Sequence, residues 1–190
     1  MKRRILGYVA VVATVLCLCA APSFAADNFK IGVGYQGLVA GNILNGASVR
    51  GWYSLGNMAV GGELNGFYGA AKVSVTGAPS DLSADLWLLE LKPMFAFMVR
   101  ENSRFYAGLK GAYGRYNAKQ TVTAVDGKFW MGGALVGAEW NFPALKEVGF
   151  NFEVGYNYIS DNNTSDTAPG IDVDVKLHGI NVGAGIKYYF

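Results

Sequence analysis

Gly179-Ile180-Asn181-Val182-Gly183-Ala184-Gly185-Ile186-Lys187-Tyr188-Tyr189-Phe190 ends the chain in strict alternation. Ile180, Val182, Ala184, Ile186, Tyr188 and Phe190 share one side, and Gly179, Asn181, Gly183, Gly185 and Lys187 share the other. A period of two means a β-strand with one apolar and one polar face. Aromatics crowd the end of the apolar face, as they do where a strand turns its outside to lipid and its inside away from it. The pattern recurs upstream, so the chain reads as all-β: an eight-stranded antiparallel up-and-down transmembrane barrel.

Working outward, four hairpins can be traced. The first two strands cover about Phe29 to Val39 and Ala47 to Leu55, and Gly56-Asn57 turns tightly into a third, about Met58 to Val75. A fourth, Leu86 to Val99, turns through Arg100 to Ser103 into a fifth, Arg104 to Tyr116. The sixth, Phe129 to Phe142, turns through Pro143 to Glu147 into the seventh, Val148 to Tyr158, and the eighth ends the chain. Long loops are expected over Ala70 to Asp85, Asn117 to Lys128 and Ser160 to Asp172. Short and long connections alternate, as in barrels with short periplasmic turns and longer outer loops.

One face of these strands carries no charge: Val49, Tyr53, Met58, Val60, Leu64, Leu89, Leu91, Phe95, Leu109, Val136, Phe152 and Val154 belong to it. Its aromatics form two bands, Tyr53, Phe97, Phe105, Trp140, Phe142, Phe150, Tyr188 and Phe190 at the turn end and Tyr68, Trp87, Tyr113, Trp130, Tyr156 and Tyr158 at the loop end. Two bands match the interface girdles of a membrane barrel. The opposite face holds Arg50, Glu63, Glu90, Lys92, Lys110, Glu139, Glu153 and Lys187, in which acids and bases balance. A two-residue turn at Gly56-Asn57 pairs Leu55 with Met58 and so sets Arg50 opposite Glu63. A charge toward lipid costs about 2–4 kcal/mol near the midplane, so these residues decide which face is inside. Many glycines, among them Gly32, Gly61, Gly137 and Gly149, take the inward phase and make room for Trp52, Phe67, Tyr106 and Tyr189. A barrel of eight strands is just wide enough for side chains to fill; the lumen is expected to be plugged.

Residues 1–25 read as a cleaved secretory signal peptide, with a basic head at Lys2, Arg3 and Arg4, an apolar stretch from Tyr8 to Ala20, and Ser23-Phe24-Ala25 before the cut. Residues 26–190 are then one barrel domain. Both cysteines, Cys17 and Cys19, leave with the leader, so no disulfide, thiolate metal site or thiol nucleophile is expected. Of 16 Lys and Arg, three leave as well, and 13 against 14 Asp and Glu give −1. No basic patch remains for nucleic acid.

With these features the chain resembles the small outer-membrane β-barrel family of Gram-negative bacteria, the OmpA/OmpX type. Gly185, Tyr188 and Phe190 stand where that family carries its C-terminal assembly signal, although Gly183 sits where the pattern prefers a polar residue. The resemblance implies the cell outer membrane, contact with its lipid and lipopolysaccharide, and insertion by the barrel-assembly machinery. It does not imply one function, since relatives include tethers, adhesins, solute conduits and lipid-modifying enzymes.

Other candidate sites are weaker. Gly32-Val33-Gly34-Tyr35-Gln36-Gly37 spells a dinucleotide fingerprint but lies within a strand with no helix to follow. His178 is the only histidine, and Ile180 replaces the serine two positions on that the lipid A deacylases carry; Asp172, Asp174 and Ser160 are its conceivable partners. Val173, Val175 and Leu177 are apolar at odd positions, whereas the terminal strand is apolar at even ones. Either a bulge near His178-Gly179 resets the phase or the strand leaves the membrane there. The acidic segment from Ser160 lacks an EF-hand pattern for calcium. No catalytic, cofactor or metal residue is expected. The reading is a monomeric, non-enzymatic barrel serving structure or surface interaction, with an extracellular protein or surface as partner. Alternatives are a conduit for small hydrophobic solutes, a lipid A-modifying enzyme, or a soluble lipocalin-like barrel with its faces reversed.

Overall fold

A computed structural model describes residues 28–39, 43–73, 82–119, 124–163 and 173–190. The segment read as a leader, with its cysteines, Asp172, and most of the acidic segment after Ser160 lie outside the described residues. Eight strands form one closed antiparallel barrel: β1 (Phe29–Val39), β2 (Ile43–Leu55), β3 (Met58–Val73), β4 (Leu82–Val99), β5 (Ser103–Lys119), β6 (Ala124–Phe142), β7 (Leu145–Asn163) and β8 (Val173–Tyr189). Each strand pairs with its neighbours in sequence, and β1 pairs with β8 to close the wall.

Closure fixes the tilt. Partners followed once round the wall run Phe29, Tyr53, Val60, Phe95, Ala107, Val136, Val154, Val182 and back to β1 at Val39, a stagger of ten residues. Ten rises of ~3.3 Å against eight spacings of ~4.8 Å incline the strands by about 40°, within the usual range. Every residue on that path is apolar and takes the lipid-facing phase. Trp130 and Trp140 on β6 mark the two aromatic bands, and ten residues at this tilt separate them by about 25 Å, the height of a barrel's apolar belt.

Gly56 has φ +74°, the only positive φ among the described residues, and Asn57 follows with negative φ. This is the signature of a type II′ hairpin, whose twist suits the flanking strands. It pairs Leu55 with Met58 and Arg50 with Glu63, as the turn length requires. The turn ends are tied together by Val99 N donating to Asn57 O (3.2 Å) and Asn141 N to Asn102 O (2.8 Å).

Several expected boundaries move. Strands β4 to β7 extend into all three segments assigned to long loops, leaving 74–81, 120–123 and 164–172 between strands. β2 starts at Ile43 instead of Ala47. A backbone ladder needs no apolar side chains, so pairing continues above the membrane where the alternation fades. No bulge occurs at His178-Gly179: β7 and β8 stay in register from Val148↔Tyr188 to Asn163↔Val173. That leaves the other branch of the expectation, a continuous strand that rises out of the membrane. Irregularities lie instead between Ala96 and Met98 on β4 and beside the Pro143-Ala144 turn. At the first, Phe97 is the extra residue, so Phe97 and Met98 both face lipid.

Candidate functional site

Among the described residues, side chains fill the lumen in three layers. At the turn end Trp52, Ala59, Met94, Ala96, Tyr106, Leu135 and Tyr189 form an apolar cluster. At the loop end Leu38, Phe67, Leu88, Ala112, Phe129 and Met131 form another. Charged and amide side chains lie between. Glycines accommodate the rings: a Cβ on Gly137 would lie 2.6 Å from Tyr106, one on Gly32 2.6 Å from Tyr189, and one on Gly46 2.8 Å from Phe67.

Arg50, wholly buried, organises the middle layer. Its Nε donates to Glu63 Oε2, its Nη1 to Glu139 Oε2 (2.7 Å) and Tyr106 OH (3.1 Å), and its Nη2 to Glu153 Oε1 (2.6 Å). One guanidinium from β2 thus gathers carboxylates from β3, β6 and β7. A planar fork with five donors suits that role, which a lysine's point charge would not fill. Lys92 Nζ reaches Glu153 (2.7 Å), Glu63 (3.2 Å) and Glu90 (3.3 Å). Lys187 Nζ donates to Asn151 Oδ1 (2.8 Å) and Gln36 Oε1 (3.0 Å) and lies 3.4 Å from Glu63. Lys110 Nζ donates to Asn181 Oδ1 at 2.7 Å. All eight charges assigned to the inner face are buried.

The sequence reading omitted several members. Arg104, placed at a strand boundary, is buried and approaches Glu139 Oε1 at 3.3 Å. With it the interior holds five bases against four acids among the described residues, not the even balance expected. Alternation was the available signal, because Phe105 faces lipid and its predecessor must face in. Tyr106 OH donates to Glu153 (2.9 Å), Tyr189 OH to Glu139 (2.7 Å) and Asn65 Nδ2 to Glu90 (3.0 Å).

The weaker candidates do not assemble. Gly32 to Gly37 are all within β1 and no helix follows. His178 lies opposite Tyr158, is exposed, and has its ring 6.1 Å from that of Tyr156. Ser160 and Asp174 face other partners in the same ladder, Lys176 and Asn162. At the chain end, Phe190 N donates to Ile31 O (2.9 Å), while Tyr188 and Phe190 pack edge to face, centroids 5.1 Å apart, on the outer wall.

No protein-family model matches the chain, nor does any curated protein. Among solved structures it is similar to the N-terminal β-barrel domain of OprF from Pseudomonas aeruginosa, with TM-score 0.55 and 13% identity over 85% of this chain and 97% of that one. It is similar to Ail, the attachment invasion locus protein of Yersinia pestis, with TM-score 0.50 and 16% identity over 86% and 99%. A major outer membrane protein from Thermus thermophilus gives TM-score 0.51 and 9% identity over 85% and 99%. The fold is the eight-stranded outer-membrane barrel. Identities this low speak for fold alone, and the faces agree with it: an apolar belt outside, ions inside, aromatic bands at both rims. A lipocalin-like arrangement, with its faces reversed, is excluded. The chain sits in the outer membrane.

Proposed function

We propose that this barrel is a non-enzymatic surface-interaction protein whose wall above the membrane is the working part. One observation carries the reading. Among the described residues, β8 pairs with β1 only from Val182 to Tyr189, so Val173 to Asn181 are bonded to β7 alone. On the other flank, Gly69 to Val73 of β3 pair with β4 and not with the described part of β2. Two strand edges therefore stand over the short β1–β2 hairpin. Lys176 to Ile180 are all exposed, Leu177 at 58% and Ile180 at 75%. An open edge templates another strand, and adding one is a common mode of peptide recognition. The partner class is thus an extended segment of an extracellular protein. The name of the Yersinia barrel records attachment on the same fold.

The buried charged and amide side chains across the lumen speak against the conduit reading, since a hydrophobic solute needs a continuous apolar path. An exposed His178 beside the Tyr156 ring, with Ser160 and Asp174 opposite other residues, speaks against lipid A chemistry. Insertion by the assembly machinery through Gly185, Tyr188 and Phe190 belongs to the same proposal, as does contact with lipopolysaccharide.

Cells expressing the wild type and Leu177→Lys/Ile180→Lys at equal surface levels should differ in adherence to host cells and matrix proteins, with the variant lowered several-fold. Equal adherence would overturn the edge as the working surface. Planar-bilayer recordings should show no steady channel, and steady conductance would refute the plugged lumen.

A further inference from the structure

Arg104 is the charge that upsets the interior balance, and its surroundings are unlike those of the other buried cations. It is 8% exposed, and its guanidinium lies 5.2 Å from the Trp52 ring centroid and 5.9 Å from that of Tyr189. Its one ion contact among the described residues is Nε with Glu139 Oε1 at 3.3 Å. Glu139 is already engaged, its Oε2 accepting from Arg50 Nη1 and Tyr189 OH, each at 2.7 Å. The two terminal nitrogens of Arg104 have no hydrogen-bond or ion partner among the described residues. Beneath them, the indole N–H of Trp52 is buried with no acceptor. Lys30, opposite Trp52 in the ladder, is exposed at the same mouth.

Among the described residues every carboxylate of this layer already has a cation, although Glu139 Oε1, 3.3 Å from Arg104 Nε, and Glu90 Oε2 accept no hydrogen bond. Glu63 and Glu153 are held by Arg50 and Lys92, and Glu90 by Lys92. Glu101 pairs with Lys146 at 3.0 Å on the exposed rim. Lys110 forms no ion pair with a described carboxylate, but its ammonium donates to Asn181. Arg104 keeps its fork open at the end of the lumen that meets the periplasm.

We propose that the periplasmic mouth of the barrel is a binding site for a small oxyanion, a carboxylate or a phosphate, seated on the Arg104 fork. A guanidinium offers two parallel N–H donors that match both groups bidentately. Cation–π contact with the Trp52 and Tyr189 rings holds the guanidinium at the mouth before the ligand arrives. Partial exclusion of water strengthens the attraction, and the bound anion offsets the surplus positive charge of the layer.

The test is a titration of isotope-labelled barrel in detergent micelles, following the Arg104 Nε–Hε resonance in the wild type and the Trp52 indole N–H resonance in the wild type and every variant. Acetate and phosphate are added separately at constant ionic strength, with chloride as the balance. The expected result is a saturable shift with a millimolar midpoint; the tighter of the two ligands names the chemistry of the natural one. Arg104→Lys keeps the charge and loses the fork, and should weaken binding roughly tenfold, whereas Lys146→Gln should leave it unchanged. The proposal is overturned if the wild-type resonance shows no saturable shift, or if Arg104→Lys binds as tightly as the wild type. Arg104→Gln should abolish the response at neighbouring Trp52; if that variant does not fold, the wild-type and Arg104→Lys titrations decide.

Discussion

Replacing Glu63 by Leu probes the interior most severely. Glu63 accepts from Arg50, lies 3.2 Å from Lys92 and 3.4 Å from Lys187, and so serves three cations from three strands. Without it, five bases face three acids. Arg50→Leu is milder, because it leaves four against four, and the carboxylates it releases keep other donors. Glu139 retains Tyr189 OH and Arg104, while Glu153 retains Lys92 and Tyr106 OH. Removing one partner of a buried pair costs about 3–5 kcal/mol. Glu63→Leu should fall at the upper end of that range and Arg50→Leu at the lower. The double variant restores the wild-type charge surplus and should be at least ~1 kcal/mol less destabilised than the sum of the singles. Urea unfolding in lipid vesicles, followed by tryptophan fluorescence and heat-modifiable migration, measures all three. The reasoning fails if Arg50→Leu is the costlier change, or if the singles add within about 0.5 kcal/mol.

Gly137→Ala should destabilise by about 1–3 kcal/mol through overpacking, because its Cβ would meet Tyr106 at 2.6 Å, while Gly132→Ala, with nothing within 4 Å, should be nearly neutral in the same unfolding assay. Leu109→Arg, at 65% exposure midway between Phe105 and Tyr113, should cost about 2–4 kcal/mol, and Ile180→Arg, level with the loop-end aromatic band at its partner Tyr156, about 0–1. Phe190→Ala should lower the amount of barrel assembled in cells while leaving refolding in vitro close to wild type; equal assembly in cells would remove Phe190 from the assembly signal.

The membrane-spanning part of this barrel is written plainly in its side chains, because lipid and lumen impose opposite demands and every second residue must answer one of them. Arg50 opposite Glu63 was readable from two turn residues alone. Above the membrane both faces meet water, the contrast disappears, and the upper ends of β4 to β7 looked like loops. The same loss explains Leu177: its odd phase is inward throughout a continuous strand, and what changes at His178 is the surroundings, not the register. Arg104 was missed for a different reason. It stands one residue inside β5, where a turn and a strand cannot be told apart by pattern. The extra residue at Phe97 left no mark, since two consecutive apolar residues at a lipid rim violate nothing. The three-layered lumen depends on contacts between strands far apart in sequence, such as Arg50 with Glu153, which no local reading supplies.

The brevity of β1 and β2 gives an otherwise round object a front. Their hairpin is a low sill in a parapet raised by the other six strands, so the molecule has a compass bearing within the plane of the membrane. A visitor arriving from directly above would meet the rim, whereas one drifting sideways along the membrane surface would meet the gap. Diffusion in two dimensions, and rotation about the barrel axis, would then govern how often this surface is found.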